Sequence, residues 1–412
     1  MQLREHRRLL GCSIAVLILI CGYHLIANYA SKDHNTTTGI SSNYNVKDFG
    51  ARGNGTSDDT DAIQRALDTA SMNKASLYFP SGTYLINPNR SLRITSNTRV
   101  AGAGASSIIK ANNNTFGWSL IELSGTSIQI SQLSFDGNDA VNRIIVVESG
   151  SSDIRITNSL IANASQSTDP SNDFYNAVVC GVIVYGNTDR VSIERTEIRN
   201  VQAIHPIDGS LVARGVYVTI TWGSTEQVST RFSITHSRIH DIGPADDGDG
   251  IYYEDPNLDH RTSEETNSTI ADNLFVNCAK RAIKIYAQGI LVTDNIILNN
   301  YLNNNYYQGQ NKGTLAPDMY AGISIYADNN TITNNTLRGT GSYYAGIEIA
   351  SNRIVKNIVV SGNLITMGAQ SNMTDTTAIS DRRHRGFYDN LQRIDQWATG
   401  NMGLAICDAG SH

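Results

Sequence analysis

From Ile130 onward one arrangement of apolar and polar positions keeps returning. An apolar residue is followed by two others, then a small or amide residue, one more residue, and a second apolar residue. It runs from Ile130 to Phe135, Ile156 to Ile161, Ile193 to Ile198, Ile234 to Ile239, Ile270 to Phe275, Val292 to Ile297, Ile332 to Leu337 and Val360 to Ile365. Successive starts lie 26, 37, 41, 36, 22, 40 and 28 residues apart. Coils of roughly 20–30 residues, interrupted by loops of variable length, produce such spacings. The fourth position holds Ser159, Thr196, Ser237, Asn273, Asn295, Asn335 and Asn363, with Leu133 in the first unit. Amides stacked at one level of a solenoid can bond to their neighbours above and below, so this position predicts a structural ladder.

A second strand belongs to the same coils. It opens on glycine or alanine and alternates: GVIVY (181–185), GVYVT (215–219), GIYYE (250–254), AIKIY (282–286), GISIY (322–326) and GIEIA (346–350). Side chains alternate between the faces of a strand. The inward set is therefore Val182/Val184, Val216/Val218, Ile251/Tyr253, Ile283/Ile285, Ile323/Ile325 and Ile347/Ile349. The outward set is Ile183/Tyr185, Tyr217/Thr219, Tyr252/Glu254, Lys284/Tyr286, Ser324/Tyr326 and Glu348/Ala350. Stacked parallel strands turn the outward set into two columns. Tyr185, Tyr217, Tyr286, Tyr326 and Glu348 are the candidate substrate-binding residues, because tyrosine rings can stack on sugar rings while their hydroxyls hydrogen-bond.

Upstream, Asp58-Asp59-Thr60-Asp61 leads into an amphipathic stretch with Ala62, Ile63, Ala66, Leu67 and Ala70 on one face. That predicts a short N-terminal capping helix, which a solenoid needs over its first apolar coil. Together these patterns predict an all-β solenoid of parallel coils over residues 44–370, with a C-terminal cap or tail at 371–412. In that tail Ile394, Trp397 and Leu404 are candidates to cover the last coil.

The first 30 residues read differently. Arg4, Arg7 and Arg8 precede an apolar run from Leu9 to Ala27, the plan of a signal peptide or signal anchor. Residues 31–43 form a polar linker. The reading is of an extracytoplasmic protein, secreted or anchored, that meets a membrane only through this segment. With a net charge of −6, nothing in the sequence points to the basic face that nucleic-acid binding needs. It also means that an acidic polysaccharide requires a local basic groove or a bridging cation. Five cysteines, two of them in the targeting segment, show neither metal spacing nor a disulfide framework.

The segment Asn45-Val46-Lys47-Asp48-Phe49-Gly50-Ala51-Arg52-Gly53-Asn54-Gly55, followed by Asp58-Asp59-Thr60 and by Leu77-Tyr78-Phe79-Pro80-Ser81-Gly82-Thr83-Tyr84, resembles the opening signature of the pectate-lyase/rhamnogalacturonase superfamily. The resemblance implies a right-handed β-helix and action on a polysaccharide. It leaves the reaction open, because lyases, hydrolases, epimerases and tailspikes share the fold. Asp48, Asp58 and Asp59 then belong to the entry of the fold. The polygalacturonase pattern is only partly met, by Asp246-Asp247 and Arg281-x-x-Lys284 without a Gly-His-Gly.

The densest chemistry lies between residues 240 and 286. Uronic-acid elimination needs a neutralised carboxylate, a base for the C5 proton and an acid for the leaving oxygen. Lys284 or His260 could be the base, Arg261 or Arg281 could take the carboxylate, and Tyr252 could be the acid beside Glu254. Pairing of Lys284 with Glu254 is expected in the free protein. Asp247, Asp249 and Asp255 could instead hold Ca²⁺, a hard cation that takes oxygen ligands. A polysaccharide lyase is the first expectation. An inverting glycoside hydrolase, a uronate C5-epimerase and a non-catalytic glycan-binding solenoid are the alternatives.

Overall fold

Coils stack on one another because the two apolar positions of the repeat do. The first position forms an unbroken in-register column: Ile130, Ile156, Ile193, Ile234, Ile270, Val292, Ile332 and Val360. The last forms another: Phe135, Ile161, Ile198, Ile239, Phe275, Ile297, Leu337 and Ile365. All of these side chains are buried. At roughly 25 cal/mol per Å² of apolar surface, each contributes about 1.5–3 kcal/mol.

The computed structural model describes residues 44–207, 211–243, 247–259, 265–298, 321–340, 345–349, 355–367, 377–381 and 406–407. The expectations for residues 1–43, Asp246, His260 and Arg261, and for most of the 371–412 tail, lie outside these. The described strands form three sheets of twelve, eleven and ten strands, wound as a right-handed parallel β-helix. One antiparallel pairing, Val359–Ser361 with Ile406–Cys407, departs from the parallel pattern. The third sheet gains a strand at Thr377–Asp381, beside Ala345–Ile349, so coil structure continues past residue 370.

The fourth position of the repeat forms the ladder that its amides predict. Asn273 Nδ2 donates to Asn295 Oδ1 (3.0 Å), Asn295 Nδ2 to Asn335 Oδ1 (2.9 Å) and Asn335 Nδ2 to Asn363 Oδ1 (2.9 Å). Each Oδ1 also accepts the backbone N–H of the ladder residue one coil back. The residue before each ladder position turns the chain through a left-handed conformation, at φ 52° in His236, 57° in Asp272 and 57° in Asn334. The amides thus pair the backbone groups that a sharp corner between two sheets would otherwise leave buried and unbonded.

The helix Thr60–Met72 closes the first coil, and it buries Ala62, Ile63, Ala66, Leu67 and Ala70 as its periodicity predicts. Asp59 accepts the backbone N–H groups of Arg52 (2.7 Å) and Gly53 (2.9 Å), and Asp58 accepts that of Thr60 (2.9 Å). These acids tie the entry loop to the cap.

Candidate functional site

The ten-stranded sheet carries the two outward columns in the expected register. Tyr217 pairs with Tyr252, Tyr252 with Lys284, Lys284 with Ser324 and Ser324 with Glu348, while Glu254 pairs with Tyr286. Tyr252 and Lys284 are therefore one strand apart on one face, and Glu254 lies two residues along.

A third column was not legible from alternation. Strict alternation would turn Arg214 inward with Val216, and Asp249 inward with Ile251. Glycine breaks the rule. A Cβ on Gly215 would point at Ile239 and Ile242, and one on Gly250 at Cys278 and Phe275. Both glycines face the core, as do the residues after them, so Arg214 and Asp249 fall on the tyrosine face. The register places Arg143, Cys180, Arg214, Asp249 and Arg281 in line. Arg143 and Arg214 are thus site-face residues that sequence reasoning missed. For Arg214 the available signal was an arginine standing immediately before the strand-opening glycine; Arg143 precedes Ile144 and carries no such mark.

At the centre, Tyr217 and Tyr252 stack with ring centroids 5.4 Å apart and planes 11° from parallel. Both hydroxyls donate to the Glu254 carboxylate, Tyr252 at 2.8 Å to Oε1 and Tyr217 to Oε2. Lys284 Nζ lies 4.1 Å from the centre of the Tyr252 ring, and the Arg214 guanidinium 4.8 Å from it. The expected Lys284–Glu254 ion pair is replaced by this arrangement: the carboxylate takes two phenols, and the ammonium rests on a ring face.

The columns are far less solvated than a bare strand face. Tyr252, Arg214, Asp249, Arg281, Ser324 and Glu348 are all buried. Asp249 is held by Arg214 at 2.8 Å and by Arg281 at 3.7 Å. Arg281 Nε donates to Ser324 Oγ (2.8 Å) and its Nη2 to Tyr326 Oη (3.1 Å), while Ser324 Oγ and Tyr326 Oη donate to Glu348 Oε2 (2.7 and 3.2 Å). Glu348 and Tyr326 are therefore parts of a buried network that fixes Arg281. Further back on the face, the Tyr185 hydroxyl bonds Arg143, whose guanidinium lies 3.6 Å over the Trp118 ring. Tyr286 donates to Asp259 Oδ2 (2.9 Å).

The three aspartates considered for Ca²⁺ are not brought to one point. Asp249 and Asp255 are six positions apart in and beyond the strand Asp247–Glu254, a span of roughly 20 Å. Asp249 sits between two guanidinium groups. Asp255 is buried in the following turn, where its Oδ1 accepts the Asn257 N–H (3.0 Å). Of Asp247 the backbone is described and pairs with Val212. Among the described residues no group of three or more His, Cys, Asp or Glu side chains converges as a metal site.

Burial raises the Tyr217 and Tyr252 phenols well above their ordinary value, and the Glu254 charge pushes the same way. They are proton donors, not phenolates. The unfolded chain releases these protons near pH 10, whereas the folded chain keeps them, so the stability they contribute is present below pH 10 and falls as pH rises beyond it. Spectrophotometric titration is expected to show their tyrosinate absorbance only together with alkaline unfolding. A Tyr217→Phe/Tyr252→Phe variant should lose two phenols from that step. Normal titration of both in the folded protein would contradict the buried arrangement.

A family model described as rhamnogalacturonase A/epimerase, pectate lyase-like, matches residues 43–316. Alginate lyase 7 of Azotobacter vinelandii is 48% identical over 67 residues, which are 15% of this chain and 8% of that protein. A mannuronan C5-epimerase of the same organism is 46% identical over 67 residues, 15% of this chain and 7% of the relative. The chain thus aligns with less than a tenth of the length of these two relatives. An alginate lyase from Paenibacillus sp. str. FPU-7 shares the fold, with a TM-score of 0.51 and 13% identity over 77% of this chain and 95% of that one. The family match runs from the entry loop through the cap to the coils that carry Tyr252 and Lys284, and the chain belongs to the rhamnogalacturonase A/epimerase, pectate lyase-like family.

Proposed function

We propose that this protein acts on a uronic-acid-containing polysaccharide and cleaves it by β-elimination at the Tyr252–Lys284 face. One observation carries the reading. In a chain of net charge −6, Lys284 and Arg214 both lie against the ring of Tyr252, which stacks on Tyr217. Lys284, half-buried on that face, supplies the local cation that an acidic polymer requires. Two relatives whose names refer to alginate and mannuronan support the substrate class.

In this reading Lys284 offsets the charge of the uronate carboxylate, which acidifies the C5 hydrogen. The base that removes it is assigned to His260, next in sequence to Asp259, whose carboxylate accepts the Tyr286 hydroxyl. As the C5–H pair moves into a C4–C5 double bond, the C4–O bond breaks. Tyr252 turns its proton from Glu254 to the leaving oxygen. The phenolate left behind lies against Lys284 and Arg214, and the proton taken from C5 restores it when product departs. A C5-epimerase would begin with the same proton abstraction and return a proton to the opposite face, and the epimerase relative favours it as the second reading. Export directed by residues 1–30 fits a polymeric substrate outside the cell.

The test is incubation with polymannuronate, polyguluronate and polygalacturonate, following ultraviolet absorbance and reducing ends together. Elimination gives both signals on at least one polymer. Reducing ends without absorbance would replace the reading with hydrolysis. Neither signal, with an altered C5 configuration by NMR, would replace it with epimerisation.

A further inference from the structure

Trp222 is 99% exposed, the most exposed of the large apolar side chains among the described residues. It stands on a short turn that follows the strand Val212–Val218, and that strand carries Arg214 and Tyr217. A ring so completely in water would ordinarily sit on a loose loop. This turn is tied down at several points. Ser224 N–H bonds Thr221 O at 2.9 Å, and Gly223 supplies the left-handed φ of 74° that closes it. Glu226 lies beneath as an anchor: its Oε2 accepts Thr221 N–H (2.8 Å) and Ser224 Oγ (3.1 Å), and its Oε1 accepts Ser149 Oγ (2.5 Å). Asn257 Nδ2 donates to Ser224 O (3.1 Å), which joins the turn to the segment directly after Glu254. Trp222 therefore stands at the rim where the strands bearing Tyr217 and Glu254 end.

We infer that Trp222 is a carbohydrate-stacking platform, a subsite that holds one sugar unit of the polymer beyond the units lying on the Tyr252–Lys284 face. This deepens the proposed polysaccharide activity and rests on it for the ligand class. The chemistry favours a sugar over a protein partner. Among the described residues the other exposed large apolar side chains lie elsewhere: Met72 on the cap helix, Leu291 and Val359 on the twelve-stranded sheet, Leu364 on the eleven-stranded sheet and Ile204 on the segment after Val201. A lone indole is far too small for a protein interface. It matches the area of one pyranose face, and a ring whose backbone is already ordered loses little freedom when a sugar lands on it.

The experiment uses the full chain, its Trp222→Ala and Trp222→Phe variants, and polyuronates of graded length. The efficiency kcat/KM on long polymer is expected to fall about three- to tenfold for alanine and less for phenylalanine, through KM. The loss should shrink as the substrate shortens. In a Lys284→Ala background, long polymer should quench or blue-shift the tryptophan fluorescence, and Trp222→Ala should remove that change. A uniform loss at every length, or a fluorescence response that survives Trp222→Ala, would overturn the platform. The fluorescence arm separates the two readings. If wild type yields no unsaturated product but polyuronate still perturbs Trp222, elimination fails and the platform stands. If wild type turns over and Trp222 is indifferent to chain length, the platform fails alone.

Discussion

Asn295→Ala is expected to lower the unfolding free energy by roughly 3–5 kcal/mol, one of the largest losses that any single side chain of the coils can cause. The side chain is fully buried and uses both of its atoms twice. Its Oδ1 accepts the N–H of Asn273 (3.0 Å) and the Asn273 side-chain amide (3.0 Å), and its Nδ2 donates to Ile270 O (2.9 Å) and Asn335 Oδ1 (2.9 Å). Alanine leaves donors and acceptors stranded where water cannot reach them, and each orphan costs about 1–3 kcal/mol. Serine should recover part of the loss. In the earlier coils Ser237 holds the same level with one hydroxyl, which accepts the Thr196 N–H (3.1 Å) and donates to Thr235 O (2.9 Å). Aspartate should be worse than serine, because it accepts but cannot donate and it buries a charge. Urea denaturation of the three variants checks the order. A loss below about 1 kcal/mol for alanine would show that neighbouring rungs carry the corner without it.

What the sequence made legible follows from periodicity. The two apolar levels and the amide level keep fixed offsets from one another, and Tyr217, Tyr252 and Lys284 each stand two residues after a strand-opening glycine or alanine, so alternation locates them. Legibility stopped where alternation did. Gly215 and Gly250 each put two consecutive residues toward the core, so Arg214 and Asp249 moved to the face from which simple counting excludes them. Counting also carries no information about cover. Ser324 and Glu348 share the outward column with Lys284 yet are fully buried, in a network with Arg281 and Tyr326 that alternation alone cannot show. The same gap explains the reading of the aspartates. Asp249 and Asp255 look like neighbours in sequence, but one is locked between guanidinium groups and the other closes a turn.

Tyr252→Phe is expected to reduce kcat roughly a hundred- to ten-thousand-fold, the range associated with a positioned general acid. Lys284→Ala should fall in a similar range, by loss of the charge that offsets the uronate. Both variants should remain folded. Phenylalanine keeps the stack on Tyr217 and the ring face under Lys284, and Glu254 keeps the Tyr217 hydroxyl. Lys284 is half-buried, and removing it from the ring costs about 0.5–1 kcal/mol. Arg214 offers no such clean test. It is buried against Asp249 at 2.8 Å, and breaking a buried ion pair costs about 3–5 kcal/mol, so lost folding would mask lost chemistry. Tyr217→Phe is the informative control, since it removes the other phenol from the same carboxylate. If Tyr252 is the acid, the Tyr217 variant should lose no more than about tenfold, which is the share of an orienting hydrogen bond. Equal and severe loss in both would mean that the pair acts through Glu254, with the carboxylate and not either phenol handling the proton.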